Sequence, residues 1–289
     1  MSSAAQTAVK VKPTGAALGA DILGVDLSRP LDDATVRSIM DAWSAHLVLR
    51  FRGQKLTDEQ LAAFSHYFGE LDAAPPAEVD SPFVPQHPEV TVISNVVVDG
   101  KPIGSLGAGE SVWHTDMSYS ARPPSASVLY AIELPPSGGD TSFSNMYLAA
   151  ERLSPELRSK LEGRGIKHDA TTTSSGDLRM GFEDVDDPRT GPGTVHPAFR
   201  THPLTGKKAL FIGRRKNAYI PGLDLDESEN LLDALFEFVG RPEFTWTQQW
   251  SIGDVLLWDN RCVMHRRDAF DPASRRLMHR TQVKGEAPV

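Results

Sequence analysis

Two of the three groups of a potential metal centre stand one residue apart in this chain, at His114 and Asp116 of the tetrapeptide WHTD. A second imidazole follows far downstream at His265, in WDNRCVMHRRD. On a strand, residues two apart point to the same side, so His114 and Asp116 are expected to face whatever the sheet encloses, with His265 brought to them on a distant, rigid element. Two imidazoles and one carboxylate on one face of an ion form the triad that holds Fe(II) and leaves coordination positions open. Taken alone, His-x-Asp also fits a surface turn. Its surroundings favour a site: Trp113 precedes it, a Ser/Tyr/Pro-rich stretch from Met117 to Pro124 follows, and then comes the apolar run SASVLYAIEL.

Further polar candidates cluster near His265. Arg261, Arg266, Arg267, Arg275, Arg276 and Arg280 concentrate guanidinium groups in a chain whose formal net charge is −8. Some of them must be solvated surface, but at least one is well placed for a bidentate carboxylate contact. His279 lies between Arg276 and Arg280 with the opposite strand parity and should face away from them. His196 and His202, in TVHPAFRTHP, fit structural hydrogen bonding or a polar layer behind a site. Trp113 and Trp258 read as wedges between the ligand strands. Arg214, Arg215 and Lys216, which follow ALFIG, fit either a substrate mouth or, more simply, a solvated loop.

The elements that must position these groups read mainly as strands. GADILGVDL and HLVLRF alternate or run apolar, and Asp32 to Ala45 between them carries Val36, Ile39, Met40 and Trp43 at helical intervals. Thr57 and Gln60 form a capping box for a helix whose buried stripe is Leu61, Phe64 and Phe68, with Leu56 and Leu61 as a hydrophobic staple. VTVISNVVV is followed by the glycine-rich GKPIGSLGAGES, which fits a lid over a site or a plain hairpin loop. Two helical segments, YLAAERL and SPELRSKLEG, the second capped by Ser154, follow PPSGGDTSF. Residues 169–193 are polar and are expected to be a long, mobile loop at the site. KALFIG, FTWTQQW, DVLLWDN and HRTQV read as strands, and Asp226 to Val239 as a helix. Helices decorating strands in this way suit one β-sandwich or barrel with helical insertions.

Length and composition set outer bounds. At 289 residues the chain suits a single domain with an ample core, the first 15 residues forming a flexible tail. The acidic balance argues against nucleic acid as a partner. Cys262 is the only cysteine, which excludes internal disulfides and fits a reducing compartment. No apolar run approaches the roughly 18 residues of a membrane span, and the N-terminus lacks a secretory pattern. A cytoplasmic protein, and a homo-oligomer, is expected.

WHTD at 113–116, GGDT at 138–141, WDNR at 258–261, His265 and RRLMHR at 275–280, in that order and at those distances, resemble the taurine dioxygenase and 2,4-dichlorophenoxyacetate dioxygenase family of Fe(II)/2-oxoglutarate enzymes. The resemblance runs from GADILGVDL to HRTQV. It implies a double-stranded β-helix, the jelly roll of cupin-like proteins, with His114, Asp116 and His265 as iron ligands. Thr141 and Arg276 would bind the distal carboxylate of 2-oxoglutarate, and Arg280 the anionic group of the substrate. The chemistry of these residue types is consistent with that. Three protein ligands leave positions for a chelating 2-oxo acid and for dioxygen, while a hydroxyl and a guanidinium fork can anchor the remaining carboxylate. Decarboxylation would give succinate and carbon dioxide, and a substrate C–H would become C–OH. Because halogenating relatives replace the carboxylate ligand with a small residue, Asp116 favours hydroxylation.

The substrate is expected to be a small organic anion. RRLMHR is nearer the taurine type, whereas THPLTGKKALFIG and WSIGDVLLWDNRCVMHRRDAFDPASRR are nearer the phenoxyacetate type, and GSLGAGESV departs from both. Two other readings compete: a noncatalytic cupin-like protein that binds a metal or ligand, and a zinc hydrolase using the same triad. The second leaves Thr141 and Arg276 without a role.

Overall fold

Two sheets, built largely from antiparallel neighbours, carry the site of this protein. A computed structural model describes residues 9–73, 83–84 and 86–289. Residues 1–8 of the expected tail and much of the Pro/Ala-rich stretch between Leu71 and Pro88 lie outside these. The larger sheet runs Lys10–Pro13, Ala20–Leu23, Val48–Phe51, Val255–Asp259, Ala126–Glu133, Leu277–Val283, His87–Ser94 and Phe83–Val84, with Ser105–Leu106 added in parallel beside His87–Ser94. The smaller runs Thr245–Gln248, Thr141–Asn145, Val263–Arg267 and Ser111–His114.

Alternation along the strands divides the interior into two cores. In Val255–Asp259, Leu256 and Trp258 face the smaller sheet, while Val255 and Leu257 face the opposite way. The outward core is closed by the helices Asp33–His46, through Ile39, Ala42 and Trp43, and Asp58–Ser65, through Leu61 and Phe64. Asp32 caps the first helix by accepting from the Thr35 amide. Thr57 and Gln60 form the expected capping box on the second. The inward core joins Leu129, Met278 and Trp258 of the large sheet to Phe143, Val263 and Met264 of the small one, and it continues into the helices Met146–Arg152 and Leu225–Val239.

Strand register lines up the chemistry. Across the smaller sheet His114 pairs with His265, His265 with Phe143, and Phe143 with Trp246. A second row places Ser111, Arg267, Thr141 and Gln248 side by side, and an irregularity between His265 and Arg267 separates the rows at the Ser111–His114 strand. Residues paired across neighbouring strands share a face, so His114, His265, Thr141 and Arg267 all look toward the large sheet. Phe143 is the keystone of the first row. Its fully buried ring lies 5.6 Å from that of Trp258 and 6.0 Å from that of His265.

Several expectations need correction. Lys10–Pro13, placed in the flexible tail, is a strand paired with Ala20–Leu23. Asp116 is not on the strand that carries His114: that strand ends at His114, and Asp116 opens a turn. Met117 takes a positive φ of 46° there, a conformation that bends the chain away from the sheet. KALFIG forms a strand only over Lys208–Leu210, paired with Phe199–Thr201 in a separate ribbon. The polar stretch at 169–193 begins and ends in the paired strands Gly165–Asp169 and Gly193–Pro197, and Thr171, Thr172, Thr173 and Ser174 within it are buried. The expected strand VTVISNVVV breaks after Ser94, and Val97–Val98 instead forms a small hairpin with Lys101–Pro102 of the glycine-rich stretch, before Ser105–Leu106 joins the large sheet.

Replacing Phe143 with Ala should lower unfolding stability by about 3–5 kcal/mol, measured by denaturant titration. A loss below about 1 kcal/mol, the range of a surface change, would contradict a keystone role.

A candidate metal centre between the sheets

His114, Asp116 and His265 converge although they come from two strands and a turn. The Nε2 atoms of His114 and His265 lie 3.6 and 3.8 Å from Oδ1 of Asp116, and the ring centroids of the histidines are 4.1 Å apart. All three side chains are buried, and their donor atoms are close enough for one ion to bridge them. His114 Nδ1 donates to the carbonyl of Val112 at 2.7 Å, which leaves its Nε2 lone pair for a metal. Burial and the neighbouring His114 push His265 down to about 3, so its imidazole is neutral at physiological pH. Two imidazoles and a carboxylate make a donor set suited to Fe(II).

The Asp116 turn is fixed by residues that the sequence did not single out. The Asn260 side chain accepts from the Asp116 amide at 3.0 Å and donates to the Asp116 carbonyl at 3.0 Å and the Pro124 carbonyl at 2.9 Å. Ser127 donates to Asp116 Oδ2 at 2.7 Å, which leaves Oδ1 facing the histidines. Burial would raise the Asp116 pKa, but nearby positive charge, led by the Arg280 guanidinium, outweighs it and holds the carboxyl well below its usual range. Arg280 reaches Oδ1 itself, at 3.1 Å.

Thr141, Arg276 and Arg280 line the same cavity as His114 and His265, with Ile93, Leu106, Leu129 and Trp258 as its apolar wall. Arg276 is 2% exposed, and its guanidinium forms no hydrogen bond among the described residues. Burial, and then the nearby Arg267, push it down to about 9, the mark of a cation short of counter-charge. Thr141 accepts at its hydroxyl from Trp250 Nε1 at 3.0 Å, so its own proton remains free to donate. Arg267 also lines the cavity. It ties down the glycine-rich segment by donating to the carbonyls of Leu106, at 3.0 Å, and Gly109. Trp250 and Arg267 had a readable signal, their parity with Thr141 and His265, but it needs the strand register to be known.

The remaining candidates sort by their partners. His279 faces away as expected, toward Asp58. His202 donates from Nε2 to Asp259 at 3.0 Å and accepts at Nδ1 from the amides of Leu204 and Thr205, so neither nitrogen is left for an ion. Arg261 holds both oxygens of the same Asp259. His196 donates to the carbonyls of Ser118 and Ser120, just beyond Asp116. Arg215, Arg266 and Arg275 pair with exposed or half-buried acids. Arg214, expected in a solvated loop, is instead 4% exposed. The Trp258 ring stands 4.9 Å from that of His265 and forms part of the cavity wall, whereas Trp113 lies outside it.

The profile of the family described as taurine catabolism dioxygenase TauD, TfdA family matches residues 10–282. The chain belongs to this family. Pentalenolactone F synthase of Streptomyces avermitilis is 35% identical over 288 residues, covering 92% of this chain and 90% of that one. The alpha-ketoglutarate-dependent 2,4-dichlorophenoxyacetate dioxygenase of Cupriavidus pinatubonensis is 34% identical over 290 residues, covering 97% and 99%. Among solved structures, a taurine dioxygenase from Burkholderia xenovorans superposes with a TM-score of 0.80 at 36% identity, covering 98% and 91% of the two chains. The chain is thus a member of an enzyme family, and among the described residues no helix is long and apolar enough to cross a membrane.

Asn260→Ala should leave the fold intact and weaken metal binding about 10- to 100-fold, as loss of a group that orients a ligand does. Calorimetric titration of the metal-free protein with Fe(II) under anaerobic conditions measures this; an unchanged affinity would mean that the Asp116 turn holds itself.

Proposed function

We propose that this protein is an Fe(II)- and 2-oxoglutarate-dependent dioxygenase that hydroxylates a small organic anion, built on the double-stranded β-helix that the family resemblance implies. The observation that carries the reading is Arg276, a buried guanidinium without a hydrogen-bond partner, which lines one cavity with two histidines of the triad. A triad alone would serve a zinc hydrolase or a simple binding protein equally well. An unpaired buried cation beside it calls for a carboxylate.

His114, Asp116 and His265 would hold Fe(II), and the bound iron would supply the redox chemistry that couples dioxygen to oxidative decarboxylation of the 2-oxo acid. The chain's own groups do the rest. Arg276 offers its planar fork and Thr141 its hydroxyl proton to the distal carboxylate of 2-oxoglutarate, fixing the cosubstrate in one orientation. Trp250 holds the Thr141 hydroxyl in place through its indole N–H. Ser127 occupies Oδ2 of Asp116, so that Oδ1, which faces the histidines, would be the atom offered to the metal. Ile93, Leu129 and Trp258 keep bulk water from the cavity wall, which strengthens each electrostatic contact inside it. The family includes an enzyme named for 2,4-dichlorophenoxyacetate and a structure named as a taurine dioxygenase. An anionic substrate of that size is the reading adopted here.

The test is succinate release from 2-oxoglutarate with Fe(II), screened over phenoxyalkanoates, sulfonates, alkyl sulfates and amino-acid derivatives. Asp116→Ala should abolish it. Arg276→Ala should keep the fold but raise the required 2-oxoglutarate concentration on the order of 30-fold, corresponding to about 2 kcal/mol for a lost charged hydrogen bond. Full turnover by the first variant, or an unchanged requirement in the second, contradicts the assignment.

A further inference from the structure

Arg267 is another buried guanidinium of the cavity, and its partners engage only one of its nitrogens. It is 7% exposed and lines the same space as Arg276. Its Nη2 donates to the carbonyls of Leu106, at 3.0 Å, and Gly109. The buried Nε makes no hydrogen bond among the described residues. Two neutral carbonyls offset part of the cost of burying a cation, and the remainder calls for an anion.

Strand register places this side chain beside the carboxylate anchor. Arg267 pairs with Thr141 on one side and with Ser111 on the other, and all three residues line the cavity. Residues paired in this way hold their Cβ atoms about 5 Å apart. Arg276 arrives from the large sheet, and the guanidinium groups of Arg267 and Arg276 stand 5.4 and 6.0 Å from the centroid of the same ring, that of Phe270. A carboxylate held by Thr141 and Arg276 would therefore be flanked by Arg267.

The partners that Arg267 already has belong to the wall of the cavity. Leu106 lines the cavity and takes a φ of 71°, a conformation that a bulky side chain rarely adopts. Such backbone persists only where its neighbours fix it. Arg267 grips the carbonyl of Leu106 itself, and the Phe270 amide donates to the Ala108 carbonyl at 3.2 Å. The glycine-rich wall thus hangs on the same two residues that flank the anchor.

We propose that Arg267 binds the distal carboxylate of 2-oxoglutarate together with Thr141 and Arg276, and so couples cosubstrate binding to the position of the wall from Leu106 to Gly109. This deepens the function proposed above and rests on it. The family resemblance assigns that carboxylate to Thr141 and Arg276; register adds a second guanidinium. Once a carboxylate fixes Arg267, holding the two carbonyls costs less further ordering, and the wall opens less often.

Binding to the full-length protein loaded with Mn(II) under anaerobic conditions provides the test. The probes are 2-oxoglutarate and 2-oxopentanoate, which keeps the chelating end but carries a methyl group in place of the distal carboxylate. The wild type should prefer 2-oxoglutarate. Arg267→Met should reduce that preference by about tenfold or more, the scale of one charge-assisted hydrogen bond, by weakening 2-oxoglutarate while leaving 2-oxopentanoate in place. Arg267→Lys, which keeps the charge, should recover part of it. A second readout needs no variant: amide hydrogen exchange in the peptide spanning residues 104–111 of the wild type should be slower with saturating 2-oxoglutarate than with saturating 2-oxopentanoate. Equal weakening of both acids in Arg267→Met would overturn the proposal by marking Arg267 as a structural tie to the wall, and exchange that does not distinguish the two acids would overturn the coupling. A preference that survives intact in Arg267→Met would bring down this inference alone. Absence of any preference for 2-oxoglutarate in the wild type would bring down the proposed function and this inference with it.

Discussion

The Asp116 carboxylate must stay ionised in a space enclosed by two largely apolar sheets, and much of the surrounding structure follows from that requirement. A buried carboxylate tends to take up a proton unless nearby donors and positive charge outweigh the loss of water. Here a guanidinium from one strand and a hydroxyl from the next stabilise the carboxylate, and two imidazoles from the facing sheet converge on it as fellow ligands. Those four groups belong to different strands, so the geometry exists only when both sheets are formed and in register. Phe143 and Trp258, packed between the sheets, set the spacing at which the imidazoles and the carboxylate meet.

The same interior carries more positive charge than it neutralises. Arg267 and Arg276 lie near each other against Phe270, and burial pushes them down to about 10 and about 9. Arg267 recovers part of the cost from backbone carbonyls of the glycine-rich segment, which become a wall of the cavity. Arg276 has no such recourse. In a chain with a net charge of −8, such an interior cannot be a by-product of a basic composition. It fits the carboxylate proposed as the partner of Arg276.

Much of this was legible in the sequence because the groups involved sit in local phrases with fixed parity. WHTD, GGDT and RRLMHR hold five of the six residues expected at the site, His114, Asp116, Thr141, Arg276 and Arg280, and His265 follows from WDNR. His279 could be set aside by parity alone, and the capping box at Thr57 and Gln60 formed as read. What was missed depends on register or on the end of an element. Asp116 was read as a strand residue because alternation says nothing about where the strand stops, and Met117 with its positive φ stops it. Asn260 and Trp250 touch site residues across long separations, and Ser127 reaches Asp116 only because the chain turns between them, so the fold alone reveals them. Arg214 was read as solvated because it stands in a run of three basic residues. Arg215 and Lys216 fit that description, and the turn at Gly213 directs their neighbour inward.

The measurement that tests the account most directly is visible absorption during anaerobic addition of 2-oxoglutarate to the Fe(II)-loaded protein. A triad that leaves adjacent positions open, with a carboxylate anchor in the same cavity, predicts a weak metal-to-ligand charge-transfer band that grows with 2-oxoglutarate, saturates, and is absent when Zn(II) replaces Fe(II). A protein that binds Fe(II) yet develops no such band at saturating 2-oxoglutarate would contradict the claim that His114, Asp116 and His265 form an iron centre built for that cosubstrate.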